Sequence, residues 1–428
     1  MNRRNWIKKS CLAAGGALLT PTWISCMREN AKSDKPHILL VSGWQTVNIG
    51  DIAHTPGLIH LLKTYIPEVK ITLWPNDIDL QEEKSLMTYF PDLTIVHDDF
   101  ARTGVAGSEQ ANMVMDDADF FLHGSGPGIV GLQKIQLWKQ RSAKPFGVFG
   151  VTVGNVWDEL REALNDAAFI YTRETLSLDV LRKGEVTQPE LGFGPDATFF
   201  MPNRNDASAQ FYMESRELKD RKFICIVPRS RISPYHRIHV RINWGREQVD
   251  RIIAENLKYA EVDHEKLRAV IIRYVRETGN KVILCPEMEY QTELYEPYLY
   301  NPLPNDVKDH ILMHPYWQPD DAASLYAHAA AVVSAECHSP IISLINGTPA
   351  IYLRQPSDTI KGHMYYDLKL DDWIFEIEKT SGVQLADRVM GIVNNFDDAT
   401  EKVRQLNERI KNIYEVNMNE LRKHLVKG

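Results

Sequence analysis

Ala331-Val332-Val333-Ser334-Ala335-Glu336-Cys337-His338-Ser339-Pro340-Ile341-Ile342-Ser343-Leu344-Ile345-Asn346-Gly347-Thr348-Pro349-Ala350-Ile351-Tyr352-Leu353 decides the fold class. Ala331–Ser334 is apolar, short and β-branched, which predicts a strand. Pro340 suits the first turn of a helix, and Asn346-Gly347 ends it. Ala350–Leu353 is apolar again. Near-continuous apolar strands separated by helical segments signal a parallel sheet covered on both faces.

The same alternation runs outward in both directions. Strands are predicted at His37–Ser42, Lys70–Trp74, Leu93–His97, Phe120–His123, Phe146–Val151, Phe169–Thr172 and Glu190–Phe193. Helical segments lie between them at Pro56–Tyr65, Gln133–Gln140 and Leu176–Lys183. A polar, charged stretch over 202–221 reads as a linker. Strand and helix then resume with Phe223–Pro228, helix Glu265–Thr278, Lys281–Pro286, Ile311–His314, helix Ala322–His328, and the stretch quoted above. After Asp397, Val403, Leu406, Ile410, Ile413 and Tyr414 recur at helical spacing. The expected organisation is α/β: two Rossmann-like domains, residues 36–201 and 222–395, whose parallel sheets face a cleft, closed by a C-terminal helix over 396–428. Ligands of such sheets bind at the carboxyl ends of the strands, near the point where strand order reverses.

The chain has 428 residues, 44% hydrophobic and 25% charged, with 24 Gly, 22 Pro and 5 Cys. That excludes a collagen, a low-complexity chain and a disulfide-stapled mini-protein. The net charge of −8 argues against a duplex-coating nucleic-acid binder, which needs a basic surface. Met1 to Cys26 has the layout of an export signal: basic residues Arg3, Arg4, Lys8 and Lys9, then an apolar run from Cys11 to Leu19 too short to span a bilayer. Arg3-Arg4-Asn5-Trp6-Ile7-Lys8 resembles a twin-arginine signal, and Trp23-Ile24-Ser25-Cys26 resembles a lipobox with Cys26 as the lipidated residue. Export would remove four basic residues and no acidic one, leaving 45 basic against 57 acidic and a charge of −12. The expected location is the periplasm or outer membrane of a bacterium, with membrane contact only through the lipid. Cys225 and Cys285 read as small core residues. No CxxC pair is present, so a zinc site or redox motif is not supported, and no metal or cofactor is assigned.

Five constellations sit where strands end. Asn48-Ile49-Gly50-Asp51 combines turn and cap residues ahead of a helix expected near Pro56, whose free amides suit an anion. His123-Gly124-Ser125-Gly126-Pro127-Gly128 reads either as a ligand cradle, from His123, Gly124 and Gly126, or as a plain turn. Arg173, of Thr172-Arg173-Glu174, reads as an anion binder or as a partner of Asp196. Arg229 and Arg231 follow strand Phe223–Val227, and with Arg237, His239 and Arg241 they form the most basic loop of an acidic chain; they suit carboxylate or phosphate. His338, at the positive end of its helix, is expected to stay neutral, with Glu336 two residues before it as acid/base partner.

In this order the motifs resemble the polysaccharide pyruvyl transferase family. The resemblance spans residues 36 to 355 and rests on Asn48-Ile49-Gly50-Asp51, Gly124 to Gly128, Arg173-Glu174 with Ser177, Pro195-Asp196, Arg229, and His338 before Gly347-Thr348-Pro349. It implies a glycosyltransferase B-like fold and transfer of pyruvyl from phosphoenolpyruvate to a sugar. Arg229 would bind the donor's anionic groups, and His338 would protonate its methylene.

Two places depart from that pattern. Glu336 stands where the family has a donor-clamping arginine, and Cys285-Pro286-Glu287-Met288-Glu289 is acidic where a basic residue is usual. Like charges 4 Å apart repel by about 1 kcal/mol in water and about 4 kcal/mol in a protein-like medium. Export away from the cytosolic donor points the same way. The reading is a protein that acts on a saccharide or glycan in the cleft, with a transferase favoured by the resemblance. The alternatives are an exported glycan hydrolase or lyase using Glu336, His338 and Glu287, or a sugar-binding lipoprotein without catalysis. Oligomeric state is left open.

Overall fold

A computed structural model describes residues 35–98, 108–239 and 242–425. The export signal with Cys26, and Arg241 of the basic loop, lie outside the described residues. Strands β1 (His37–Val41), β2 (Lys70–Leu73), β3 (Thr94–Ile95), β4 (Phe120–His123), β5 (Phe146–Val151), β6 (Phe169–Thr172) and β7 (Glu190–Phe193) form a parallel sheet ordered β3-β2-β1-β4-β5-β6-β7. Strands β8 (Phe223–Val227), β9 (Lys281–Leu284), β10 (Ile311–Met313), β11 (Ala331–Ser334), β12 (Ala350–Arg354) and β13 (Ile374–Glu376) form a second, ordered β10-β9-β8-β11-β12-β13. Strand order therefore reverses beside β1 and again beside β8. Val41 is paired with His123 at the first reversal and Val227 with Ser334 at the second. The central strands are buried along their whole length, as their unbroken apolar runs require.

Three elements differ from the expectation. The first helix spans Ile49–Tyr65 instead of starting near Pro56. Asn48 caps it, its side-chain oxygen accepting from the amides of Gly50 at 2.8 Å and Asp51 at 3.4 Å. Pro56 lies inside it. The segment over 202–221 is not bare linker, because Asp206–Ser215 is a helix whose cap, Asn205, also bonds Asp321 at 2.9 Å. The helix expected at Glu265 begins at Arg246 and runs 33 residues, to Thr278.

The described residues from 35 onward form a single compact unit, in which one apolar cluster runs through both halves. The backbone joins them at the strand ends: Ile49 N donates to Glu287 O at 2.9 Å. Thr175 donates from its amide and hydroxyl to Asp367 at 2.8 and 2.7 Å. The final helix, Phe396–Leu425, crosses the two halves. Asn407 donates to Leu344 O at 2.9 Å on one side, and the Tyr414 hydroxyl to Asp196 O at 2.7 Å on the other.

Candidate active site

Both reversals open on one cavity of about 310 Å³. Asn48, Asp51, Arg173, Arg229, Arg231, Glu336 and His338, all singled out in the sequence, line it. Its centre is His338, first residue of the helix His338–Ile345 and 4% exposed. Glu287, from the loop after β9, accepts the amide of Ser339 at 2.6 Å and lies 3.3 Å from His338 Nδ1. Asp196, from the loop after β7, lies 3.6 Å from His338 Nε2. Gly50 packs against the same ring: a Cβ there would come closer than 3.0 Å to His338 Nδ1, Cγ and Cβ, so only glycine fits.

This arrangement corrects the expectation of a neutral His338. Burial alone would push the imidazole down, but the Cys337 sulfur and the Asp196 and Glu287 carboxylates outweigh it and hold the pKa well above the ordinary histidine range. The positive helix end is offset here by Glu287, which accepts the Ser339 amide. Asp196 is held far below the carboxylate range: burial opposes this, and His54, His338 and Arg173 override it. Arg173 Nη1 donates to Asp196 at 2.6 Å and Nε to the Thr152 hydroxyl at 2.7 Å. His54 Nδ1 is 3.0 Å from Asp196, while burial keeps that imidazole below its usual range.

Glu336 receives the Gln291 side-chain amide at 2.8 Å and lies 3.2 Å from Arg229 Nε. Burial raises it, Arg229 lowers it and Glu287 raises it again, to about 7. Every cation on the wall is matched in the same way. Arg229 also pairs with Asp358, which is buried and holds Lys361 at 3.1 Å and the Tyr352 hydroxyl at 2.5 Å. Arg231 donates to Asp263 at 2.8 Å and Glu378 at 2.9 Å and stacks 4.2 Å over Tyr259. Asp51 differs. It receives the Gln45 amide, and its nearest basic group, His54 Nε2, is 3.8 Å away.

His123, Gly124 and Gly126 do not serve as a ligand cradle. The His123 ring is fully buried, donates from Nδ1 to Gly124 O at 2.9 Å, accepts the Gly131 amide at 3.0 Å and stacks on Trp44 at 5.0 Å. Burial pushes its pKa down to about 4. Trp44 Nε1 donates to Ser125 O at 2.5 Å, and a Cβ on Gly126 would strike that indole. Of this loop only Pro127 reaches the cavity. Glu287 acts from behind His338 and does not form part of the wall. Sequence reasoning missed Asp358 and Lys361 after β12, and the aromatics Tyr235 and Trp244; position after a strand end was the available signal for the first pair.

Three ligand atoms of His54, Asp196 and His338 lie within 4.8 Å of one another. They do not fit a metal. Both Asp196 oxygens are already taken, Oδ2 by Arg173 Nη1 at 2.6 Å and Oδ1 by His54 Nδ1 at 3.0 Å.

Two parallel sheets whose reversal points face one cavity define a glycosyltransferase B-like fold. The chain belongs to the polysaccharide pyruvyl transferase family, whose profile matches residues 48–356. Solved structures agree on the fold. The Medicago truncatula protein UGT71G1, complexed with UDP-glucose, superposes with a TM-score of 0.54 at 10% identity, over 91% of this chain and 98% of that one. The UDP-GlcNAc 2-epimerase of Neisseria meningitidis, bound to UDP-GlcNAc, gives 0.55 at 12%, over 90% and 100%. S. aureus MnaA with UDP gives 0.55 at 11%, over 90% and 97%. No protein with a curated description matches the sequence.

Proposed function

We propose that this protein is a saccharide-modifying transferase whose proton donor is His338 and whose donor substrate is not held by the family's arginine clamp. The observation that carries it is the His338 imidazole held between Glu287 and Asp196 on the cavity wall. Glu287 fixes the ring through Nδ1. The Nε2 proton is held loosely, 3.6 Å from Asp196, and is the one available to a substrate atom. Arg229, the residue that would meet phosphate or carboxylate, is already engaged by Asp358 and Glu336. A donor's phosphate or carboxylate would have to compete with both of those carboxylates for the guanidinium.

A second reading, hydrolysis or elimination without any donor, is favoured by Glu336, whose pKa of about 7 suits general acid/base work. Incubation with an oligosaccharide panel, with and without phosphoenolpyruvate, separates the two. Pyruvate ketal formation would overturn the donor statement. Product formed without any donor would favour the second reading. We also propose that the chain is exported through its twin-arginine segment and anchored at Cys26, on the strength of residues 1–26.

A further inference from the structure

Asp51 is 6% exposed, faces the cavity, and among the described residues has an amide and a neutral imidazole as partners, not a cation. His54 turns Nδ1 to Asp196, so the proton of that ring sits on the side away from Asp51. Every described cation of the wall, by contrast, already has one or two carboxylates. Asp51 is thus the carboxylate of the described wall without a matching cation, and it lies beside Tyr235. The Tyr235 hydroxyl accepts from the Gln45 amide at 3.2 Å, the same amide that reaches Asp51. Trp244 adds a second aromatic surface.

Carboxylates beside aromatic faces recognise an ammonium group, which brings three donors and a compact charge to acceptors and to the negative face of a ring. A bare divalent ion fits less well, since calcium takes six to eight oxygens. We propose that the saccharide bound in this cavity carries a free, protonated amino group, seated against Asp51 beside Tyr235 and Trp244. The inference rests on the saccharide reading above and names the class of sugar.

The test is calorimetry and saturation-transfer NMR on the full chain at pH 6.5, with glucosamine, galactosamine and mannosamine, each against its N-acetyl form, and with glucose oligosaccharides. At least one free amine should bind about tenfold tighter than its N-acetyl counterpart. Asp51→Asn should abolish that preference. The wild-type comparison stands even if the variant misfolds. If N-acetyl or neutral sugars bind as tightly as every amine, this inference falls and the saccharide reading stands. If no sugar of the panel binds, both fall.

Discussion

Gly50 lies against the imidazole of His338 with no room for a side-chain carbon between them, although one belongs to the first sheet's leading helix and the other to the second sheet. Gly50→Ala should therefore displace His338 from Glu287. Overpacking of this kind costs about 1–3 kcal/mol of stability. Turnover should fall by about a hundredfold, the penalty typical of a misplaced catalytic group. Thermal melts and steady-state kinetics on the same sample check both, and a variant with full turnover would remove Gly50 from the positioning of the ring.

His338→Gln keeps a hydrogen-bonding side chain but removes the proton. If His338 is the acid, kcat should drop by about 10²–10⁴ with KM changed little. An equal rise in KM at constant kcat would reassign His338 to substrate binding.

Stability should depend on pH through two groups of opposite chemical type. Glu336 has a folded pKa raised to about 7, so the folded chain binds more protons than the unfolded one between the ordinary glutamate range and pH 7. Stability from this group is present at low pH and lost as pH rises through that window. Glu336→Gln should flatten the fall, so the variant's melting temperature relative to wild type should improve from pH 5 to pH 8. His338, raised above its unfolded value, stabilises below the usual histidine range and loses that contribution as pH climbs into the alkaline region. In His338→Gln the alkaline decline should be shallower.

His123→Ala should separate folding from function. It deletes one accepted and one donated hydrogen bond and a stack on Trp44, leaving the Gly131 amide buried and unpaired. The expected loss is about 2–4 kcal/mol in urea unfolding. KM for any saccharide should stay within about twofold of wild type.

Replacing Arg3 and Arg4 with Lys should retain the precursor in the cytoplasm, and Cys26→Ser should release an exported chain from the membrane fraction. Cell fractionation with radiolabelled fatty acid reads both.

Much of the architecture was legible because each central strand is buried on both faces and therefore spelled as an unbroken apolar run. The edge strand Ile374–Glu376, three residues ending in a charge, carried no such signal. Pro56 misled as a helix start; the cap that begins the helix is the Asn48 side chain, whose role shows only in three dimensions. For the site, residues just past strand ends were readable one by one, hence Arg229, Glu287, Glu336 and His338. Their coupling was not. The charge of His338 depends on Asp196 and Glu287, which arrive from loops of two different sheets. A helix-end argument confined to local sequence gives it the opposite sign. The glycine run at 124–128 illustrates the converse: small residues make room equally for a ligand or for an indole, and here Trp44 takes the space.

The final helix imposes an order of assembly. Its Tyr414 holds the carbonyl of Asp196, the residue that faces the proton-bearing nitrogen of His338, and its Asn407 holds the far end of the helix that His338 begins. During synthesis both sheets can form before those thirty residues leave the ribosome, but the acid and its counter-charge cannot be brought to register until they do. Ribosome-bound chains in which that helix is still inside the exit tunnel should therefore carry an unfinished site.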